Sequence, residues 1–274
     1  MKAKFGVGLR HPHHQYVLEN KPKLDFFEVH SENFIAEGGA SYDFLEKISA
    51  NYPLSFHCVG ISLGSACGLD KKHLQNIKNL VDKFNPILLS DHLSWSNSKK
   101  GTANDLLPIP YNKQSLEVFC DNVKHAQDFF SHEILVENPS AYLEFKESVM
   151  NEVDFLNEIA RRSQCSILLD INNVYVSSKN FGFDAKKYLR EIDINKVKEI
   201  HLAGHSIYKF QDQEVRIDTH SDFVCDDVIK LYVDFVKEFD LKIPTLIEWD
   251  EDIPEFSVLY GEMQRVKRGV YEKS

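Results

Sequence analysis

The chain has 274 residues, of which 43% are hydrophobic, 12% aromatic and 27% charged, a balance typical of globular proteins and unlike that of disordered chains. Its net charge of −10 argues against a nucleic-acid binder that relies on a basic surface. No apolar run approaches the ~20 residues of a membrane span, and the N-terminal apolar stretch is too short for a signal peptide. Five scattered cysteines without a C-x-x-C pair favour free thiols over disulfides or a zinc–thiolate site, and predict a cytoplasmic protein.

Short apolar, β-branched runs alternate with amphipathic stretches along the whole chain. The predicted strands are Phe5–Leu9, Phe26–His30, Leu54–Cys58, Ile87–Ser90, Ile134–Glu137, Ile167–Asp170, Glu199–Leu202 and Thr245–Glu248. The predicted helices are Tyr42–Ala50, Lys72–Phe84, Gln114–Phe130, Glu147–Arg161, Ala185–Ile192, Asp226–Phe239 and Phe256–Val266. The strands are continuously apolar, as expected for parallel strands buried on both faces. About eight such repeats without a Gly-rich phosphate loop predict a single α/β domain over residues 1–274, a (β/α)8 TIM barrel, with a doubly wound open sheet as the alternative.

Polar residues stand where the predicted strands end. In a TIM barrel these carboxyl ends converge on one mouth, where active sites lie. Taken singly, a strand-end histidine is usually structural and a strand-end aspartate usually caps a helix. Here, however, such residues follow nearly every strand from the third onward. The set comprises His57, His92, Glu137, Asp170, Asn173, His201, Asp218, His220 and Glu248.

So many carboxylates and imidazoles in one water-poor mouth would repel each other or stay unsatisfied without a positive charge among them. Divalent first-row metal ions accept both ligand types, and about nine candidate ligands suggest two or three ions. Glu137, with two histidines upstream and an aspartate downstream, is the natural bridging carboxylate. Glu248 is a second bridge or a base, and His205 is expected to support the ligands from behind.

Several residues near the predicted mouth are candidates for substrate contacts. Arg10 follows the first strand and is a candidate to hold a substrate carboxylate. His13 belongs to a histidine cluster expected in an exposed loop, and Asn33 and Asn138 follow the second and fifth strands. The polar stretch 97–105 is predicted to be a loop and a candidate lid.

The short sequence motifs around these residues resemble those of a known family. They are GVGLR (Gly6–Arg10), EVHSENF (Glu28–Phe34), FHCVGISLGS (Phe56–Ser65), SDHLSW (Ser90–Trp95), DLLPIPY (Asp105–Tyr111), VENPSAY (Val136–Tyr142), LLDINNVYV (Leu168–Val176), EIHLAGH (Glu199–His205), DTH (Asp218–His220) and LIEWDEDIP (Leu246–Pro254). The ligand order resembles that of xylose-isomerase-like barrels with trinuclear sites, such as endonuclease IV. The motifs themselves resemble those of the multinuclear non-haem iron-dependent oxidative enzymes, which modify ribosomally made peptides.

This resemblance implies a xylose-isomerase-like barrel with two or three iron ions (Fe2+/Fe3+), which uses dioxygen to oxidise cysteine residues of a precursor peptide. Glu137, Glu248 and Asp170 are then the catalytic candidates. One ion would be bound by His57, His92 and Glu137. The middle ion would be bound by Glu137, Asp170, His201 and Glu248. The third ion would be bound by Asp218 and His220, with Asn173 nearby. Iron comes from the resemblance alone, because zinc or manganese accepts similar ligands. Family members often need a helper protein, and the barrel uses up the chain, so we expect a second polypeptide that recognises the peptide.

Three other functions remain open on the sequence. A metal-dependent phosphodiester hydrolase, like endonuclease IV, needs basic residues around the mouth, and the net charge and the Asn at position 173, where endonuclease IV has His, count against it. A sugar isomerase or epimerase would need substrate-binding lysines at strand ends, which the sequence does not show. A catalytically inactive protein that binds a peptide and stores metal is the third alternative, and only a measurement of turnover distinguishes it from the oxidase.

Overall fold

Eight parallel strands close into a barrel in the computed structural model, which describes residues 3–272 other than 37, 100 and 212. The barrel strands are β1 (Phe5–Gly8), β2 (Phe26–His30), β3 (Leu54–His57), β4 (Leu88–His92), β7 (Leu135–Glu137), β8 (Ser166–Asp170), β9 (Val197–Ala203) and β12 (Thr245–Glu248). They follow one another around the ring in chain order, and β12 pairs with β1 to close it. This confirms the predicted (β/α)8 barrel. Every predicted strand overlaps a barrel strand, with ends that agree within two residues.

Nine α-helices of the described chain surround the barrel or close its ends. They are α1 (His14–Asn20), α2 (Ala40–Ser49), α3 (Lys71–Phe84), α4 (Lys113–Phe130), α5 (Glu152–Ser163), α6 (Ile171–Phe181), α7 (Ala185–Glu191), α8 (Asp226–Glu238) and α9 (Phe256–Tyr271). Side chains at the N-caps fix where several of them begin. Asp70, Asn112 and Asp184, for example, accept hydrogen bonds from amides of the first turn, which the helix itself leaves unsatisfied. Across the described ranges, none of the helices is long and apolar enough to cross a membrane.

The predicted helix over Glu147–Arg161 starts five residues too early. Asn151 is its N-cap and accepts a hydrogen bond from the Asp154 amide at 2.8 Å. The preceding residues pair instead with Tyr111, whose amide donates to Ser148 Oγ at 3.0 Å and whose carbonyl accepts from the Val149 amide at 2.9 Å. These tertiary contacts hold residues 148–150 outside the helix, where they line the groove above the barrel.

Helix α6 has no counterpart among the predicted elements. Its first eight residues are all buried, so the polar face on which an amphipathic pattern depends is missing. Asn180, near its end, pairs with the backbone of Arg216 through both amide atoms, at 2.9 Å each. This contact packs the helix beneath a hairpin that the sequence analysis also missed.

Two hairpins stand outside the barrel. One consists of β5 (Trp95–Ser98) and β6 (Gly101–Leu107), and the other of β10 (Ser206–Phe210) and β11 (Gln213–Ile217). The prediction that residues 97–105 form a loop is therefore wrong, because their backbone groups pair with each other across the turn. Polar side chains on an exposed two-stranded ribbon give no apolar alternation for the sequence to reveal.

A close backbone crossing positions the segment after β11. A Cβ atom built on Gly204 would lie 2.1 Å from the Asp222 carbonyl oxygen, and the Gly204 carbonyl accepts a hydrogen bond from the His220 amide at 3.1 Å. Only glycine permits this approach, and it brings Asp218 and His220 over the end of β9.

Gly204→Ala should therefore destabilise the protein by at least about 1–3 kcal/mol, the usual cost of overpacking. The matched control is Gly261→Ala in α9, where a Cβ meets nothing within 4 Å and helix propensity predicts a gain of roughly 0.5–1 kcal/mol. Urea unfolding midpoints of the two variants test this difference. Equal stabilities would contradict the close crossing.

Candidate metal centre

Three ligand atoms from neighbouring strands converge at the carboxyl end of the barrel. His57 Nε2 lies 3.2 Å from His92 Nε2, and Glu137 Oε2 lies 3.3 Å from the first and 3.4 Å from the second. Ligands bound about 2.1 Å from one ion lie roughly 3.0–3.4 Å apart in octahedral or tetrahedral geometry, so the spacing suits one metal ion. Ser90 Oγ lies 2.7 Å from His57 Nδ1 and fixes the ring so that Nε2 faces the group.

The remaining ligands extend this group across the mouth. Two of the further groups with ligand atoms within 4.8 Å of one another consist of predicted ligands alone, namely Glu137, Asp170 and His201, and Asp170, His220 and Glu248. Glu137 and Asp170 each belong to two groups, which is the position of a carboxylate between neighbouring ions. Asp218 lies next to the third group, with its Oδ1 2.8 Å from His220 Nε2. The structure thus gathers all the predicted histidine and carboxylate ligands and places Glu248 beside His220 as well as beside His201.

Asp170 is both a strand end and the N-cap of α6. Its Oδ1 accepts a hydrogen bond from the Asn173 amide at 2.6 Å. Asn138, which we expected to contact substrate, is fully buried and holds the Asp170 backbone, donating to its carbonyl and accepting from its amide at 2.9 Å each. The Asn138 side chain therefore positions Asp170 instead of facing the mouth.

Buried acceptor atoms at the mouth lack protein donors. Among the described residues, Glu137 Oε2, Asp170 Oδ2 and Asn173 Oδ1 have no hydrogen-bond partner. Leaving a buried acceptor unsatisfied costs about 1–3 kcal/mol, and more for a charged group. The Asn173 amide nitrogen donates to the Asn138 carbonyl at 3.1 Å, which leaves the oxygen for another partner. Imidazole, carboxylate and amide oxygen fit divalent first-row cations, so these residues fit a metal cluster.

The electrostatics of the mouth favour a bound cation. Burial raises the pKa of Glu137 to about 7. Burial, and then the charges of Asp218 and Glu137, raise the pKa of Asp170 well above its usual value. Burial lowers the pKa of His201, but Glu28 and Glu248 outweigh it and hold that pKa well above the usual range. Burial and neighbouring negative charges thus favour the protonated forms of Glu137 and Asp170, and bound cations would favour the ionised forms instead.

Arg10 is buried at the mouth, but protein groups occupy its guanidinium. Nε donates to Asp250 Oδ1 at 2.8 Å, and Nη2 contacts the same oxygen. Nη2 also lies 3.0 Å from His30 Nε2 and 3.5 Å from Glu248 Oε1. The structure thus gives Arg10 the task of positioning two acidic residues, in place of the expected contact with a substrate carboxylate.

His13 and Asn33 do not lie at the mouth. The expected exposed loop is wrong for His13, because residues 11–13 form a 3-10 helix that buries its ring against Phe256, with Nε2 2.8 Å from the Pro254 carbonyl oxygen. Asn33 is exposed on a second 3-10 helix, Ser31–Phe34. Neither residue lines the groove that leads to the ligands.

His205 supports the ligands through one intermediate residue. Its Nδ1 lies 2.8 Å from Asn172 Oδ1, and Asn172 Nδ2 donates to Asp218 Oδ1 at 2.6 Å. Asn172 therefore links the histidine to the carboxylate and fixes where Asp218 points.

The sequence analysis missed two acidic residues below the ligands. Glu28 Oε2 lies 3.2 Å from His201 Nε2, and Ser55 Oγ donates to Glu28 at 3.2 Å and is within 3.4 Å of Glu199. All four side chains are buried inside the barrel. The available signal was Glu-x-His, in Glu28–His30 and Glu199–His201, because residues two apart on a strand share a face and a charge inside an apolar strand needs a partner. His30 faces the mouth beside Arg10, Glu248 and Asp250.

A groove of about 1220 Å³ leads from the ligands to the surface. His57, His92, Glu137, Asn173, Asp218, His220 and Glu248 line its inner end. The loop after β7, the β5–β6 hairpin and helices α6 and α7 form its walls.

Residues 4–270 match the family described as RiPP precursor modification enzyme MbnB/TglH/ChrH, where RiPP denotes a ribosomally synthesised and post-translationally modified peptide. The chain belongs to this family. The match confirms the resemblance noted from the sequence motifs. Membership of this family implies that the chain is an enzyme that modifies a ribosomally synthesised precursor peptide.

Bacterial relatives cover almost the same length as this MbnB/TglH/ChrH family member. A UPF0276 protein of Psychromonas ingrahamii is 46% identical over 257 residues, which is 94% of this chain and 90% of the relative. A UPF0276 protein of Vibrio vulnificus is 45% identical over 262 residues, covering 96% and 90% of the two chains.

Solved structures share the fold at low identity. Endonuclease IV from Thermus thermophilus superposes with a TM-score of 0.61 at 13% identity, over 97% of this chain and 99% of the other. An L-ribulose 3-epimerase gives a TM-score of 0.62 at 10% identity, over 97% and 92%. At these identities the similarity shows the xylose-isomerase-like barrel alone.

Glu28→Gln should weaken metal binding without unfolding this family member. The carboxylate accepts a hydrogen bond from His201 Nε2 and orients the ring, and loss of such a partner typically costs about 10–100-fold in metal affinity. The measurement is a competition titration of the metal-free protein with a chromophoric chelator. The control is Glu262→Gln, which removes a buried carboxylate that pairs with Arg265 on α9, away from the mouth. Unchanged affinity in Glu28→Gln, or equal losses in both variants, would contradict a positioning role for Glu28.

Proposed function

We propose that this enzyme uses two or three iron ions and dioxygen to oxidise cysteine residues of a ribosomally synthesised precursor peptide. The observation that carries the proposal is the chain of three overlapping ligand groups at the mouth, in a protein of the MbnB/TglH/ChrH family. Mixed imidazole and carboxylate ligation suits non-haem iron, while zinc or manganese accepts similar sets.

Each part of the mouth has a task in this proposal. His57, His92 and Glu137 would hold one ion, and Glu137, Asp170 and His201 the next. Asp170, His220 and Glu248, with Asp218 and Asn173 beside them, would hold a third. Bound iron would supply the electron-transfer chemistry that a dioxygen-dependent oxidation of a thiol requires.

The protein's own residues keep the mouth rigid and selective. Glu28, Ser90, Asn172 and Asn138 orient His201, His57, Asp218 and the Asp170 backbone, so the ligand geometry is present before any ion binds. Arg10 pairs with Asp250 and lies 3.5 Å from Glu248, and so positions both carboxylates at the mouth. No cysteine belongs to the ligand groups of the described chain, which leaves sulfur ligation to the substrate.

The charge of the groove favours the oxidase over a phosphodiester hydrolase. Among the described lining residues, ten are acidic and the only lysine or arginine is Lys187. A nucleic-acid backbone would meet repulsion along this groove. The single lysine lies on α7, away from the strand ends where a sugar isomerase would need it.

Elemental analysis of anaerobically purified protein, with Mössbauer spectroscopy of an iron-enriched sample, should find two or three irons per chain. Stoichiometric zinc with little iron would contradict the proposal and direct attention to the hydrolase, which nicking of abasic duplex DNA would reveal.

Turnover is tested with iron-loaded enzyme and small cysteine-containing proteins encoded beside the gene, with and without a co-encoded helper protein. We expect dioxygen uptake and a change in peptide mass only when the cysteine is present. The same peptides with serine in place of cysteine are the control. A full panel with no mass change under either condition would overturn the oxidase.

Glu137→Gln should lose metal and all turnover, because it removes the charge that two ligand groups share. The matched control is Glu152→Gln in the same groove, where both carboxylate oxygens accept hydrogen bonds from Tyr111 and Tyr188. Metal content by mass spectrometry of the native protein should fall only in Glu137→Gln. Full occupancy in that variant would refute the bridging role.

A further inference from the structure

The groove continues well beyond the metal centre. Its volume of about 1220 Å³ exceeds the ~300–1,000 Å³ of a typical small-molecule pocket. It runs from the strand ends past Tyr142 and Val149 to Tyr188 on α7. A single cysteine side chain would fill only its inner end, so the rest has room for several residues of a peptide.

The outer part of the groove is acidic. Apart from the metal centre and Asp250, six described carboxylates line it, from Asp105, Glu144, Glu152, Asp184, Glu191 and Glu251. Among the described lining residues they face one lysine, Lys187, whose Nζ lies 3.7 Å from Glu191 Oε1. Glu191 thus partly neutralises this lysine, and the six carboxylates give the outer groove a net negative charge.

Apolar side chains stand exposed between these charges. Leu143 is 50% exposed, Val149 76% and Phe183 40%, and all three line the groove. Contiguous exposed apolar side chains rimmed by polar ones are typical of interaction sites. Tyr111 and Tyr188 close the floor through their hydrogen bonds to Glu152, at 2.8 and 2.9 Å.

We infer that the outer groove binds the residues that flank the reactive cysteine, and that it selects apolar and basic side chains while rejecting acidic ones. This inference rests on the proposed function for the identity of the occupant. Charge complementarity and continuity with the metal centre support it, since a chain with its cysteine among the ligands must leave along this groove. Leucine-like side chains would cover Leu143 and Val149, and lysine or arginine would meet the carboxylates.

The test measures binding separately from turnover. The probes are fluorescein-labelled seven-residue peptides with a central serine and leucines on either side. One carries lysines at the next positions, and the other carries glutamates there. Because serine replaces cysteine, anisotropy titrations of the iron-loaded enzyme report the groove without oxidation. We expect the lysine peptide to bind at least about tenfold more tightly at low salt, with a smaller difference at about 0.5 M NaCl.

Charge reversal locates the effect. The double variant Glu144→Lys and Glu191→Lys should weaken the lysine peptide about tenfold and strengthen the glutamate peptide. The control, Glu46→Lys and Glu117→Lys, makes the same change of charge on α2 and α4, on residues that do not line the groove, and should leave both affinities within about twofold. Leu143→Ser should weaken both peptides.

Three results would overturn the inference: equal affinity for both peptides, equal effects of the groove and control variants, or no saturable binding of the lysine peptide up to about 1 mM. Failure of the proposed function would give a different set of results. A charge preference that follows the groove variants, together with no oxidation of any cysteine peptide, would overturn the oxidase and keep the groove. Oxidation of a cysteine peptide without a charge preference would overturn the inference about the groove and keep the oxidase.

Discussion

The burial of several carboxylates within a few ångströms of one another governs the mouth of this barrel. Burial disfavours the charged forms of Asp170 and Glu137. Neighbouring carboxylates raise each pKa further, Asp218 and then Glu137 in the case of Asp170, and Glu248 in the case of Glu137. The imidazoles of His201 and His220 counter this repulsion, because neighbouring carboxylates hold their pKa values well above the usual range. Bound cations would counter the same repulsion, so metal binding at this site would also stabilise the fold.

The ligands keep their positions because the backbone around them is constrained. His220 has a positive φ of +48°, a conformation that costs energy for a residue with a side chain and persists only where the surroundings enforce it. Its amide donates to Gly204, and its carbonyl accepts from the Asp250 amide at 2.7 Å. The strain therefore lies in a segment tied to the ends of both β9 and β12, and it aims the ring at Asp218 and Glu248.

The barrel could be predicted from the sequence, and so could the set of histidines and carboxylates that meet at its mouth, because both leave short-range signals. Buried parallel strands are continuous apolar runs, and the polar residue at each end stands out. Helix α6 left no such signal, because it is buried on nearly all sides. Glu28 was missed because it lies inside a strand instead of at its end. Arg10 and Asn138 were found but given the wrong partners, since only the folded chain shows that Asp250 and the Asp170 backbone already occupy them.

A barrel shared with epimerases and endonuclease IV at 10–13% identity leaves substrate choice to what surrounds the mouth. In this chain the surroundings are two hairpins, the loop after β7 and the ends of α6 and α7. They add acidic and apolar side chains and only Lys187 as a described cation of the lining. A neutral sugar has no charge that would pair with these carboxylates, and the phosphates of a nucleic acid would be repelled by them. A peptide, in contrast, can supply apolar and basic side chains together. The negative field that would attract cations to the centre would therefore also restrict which peptide can reach them.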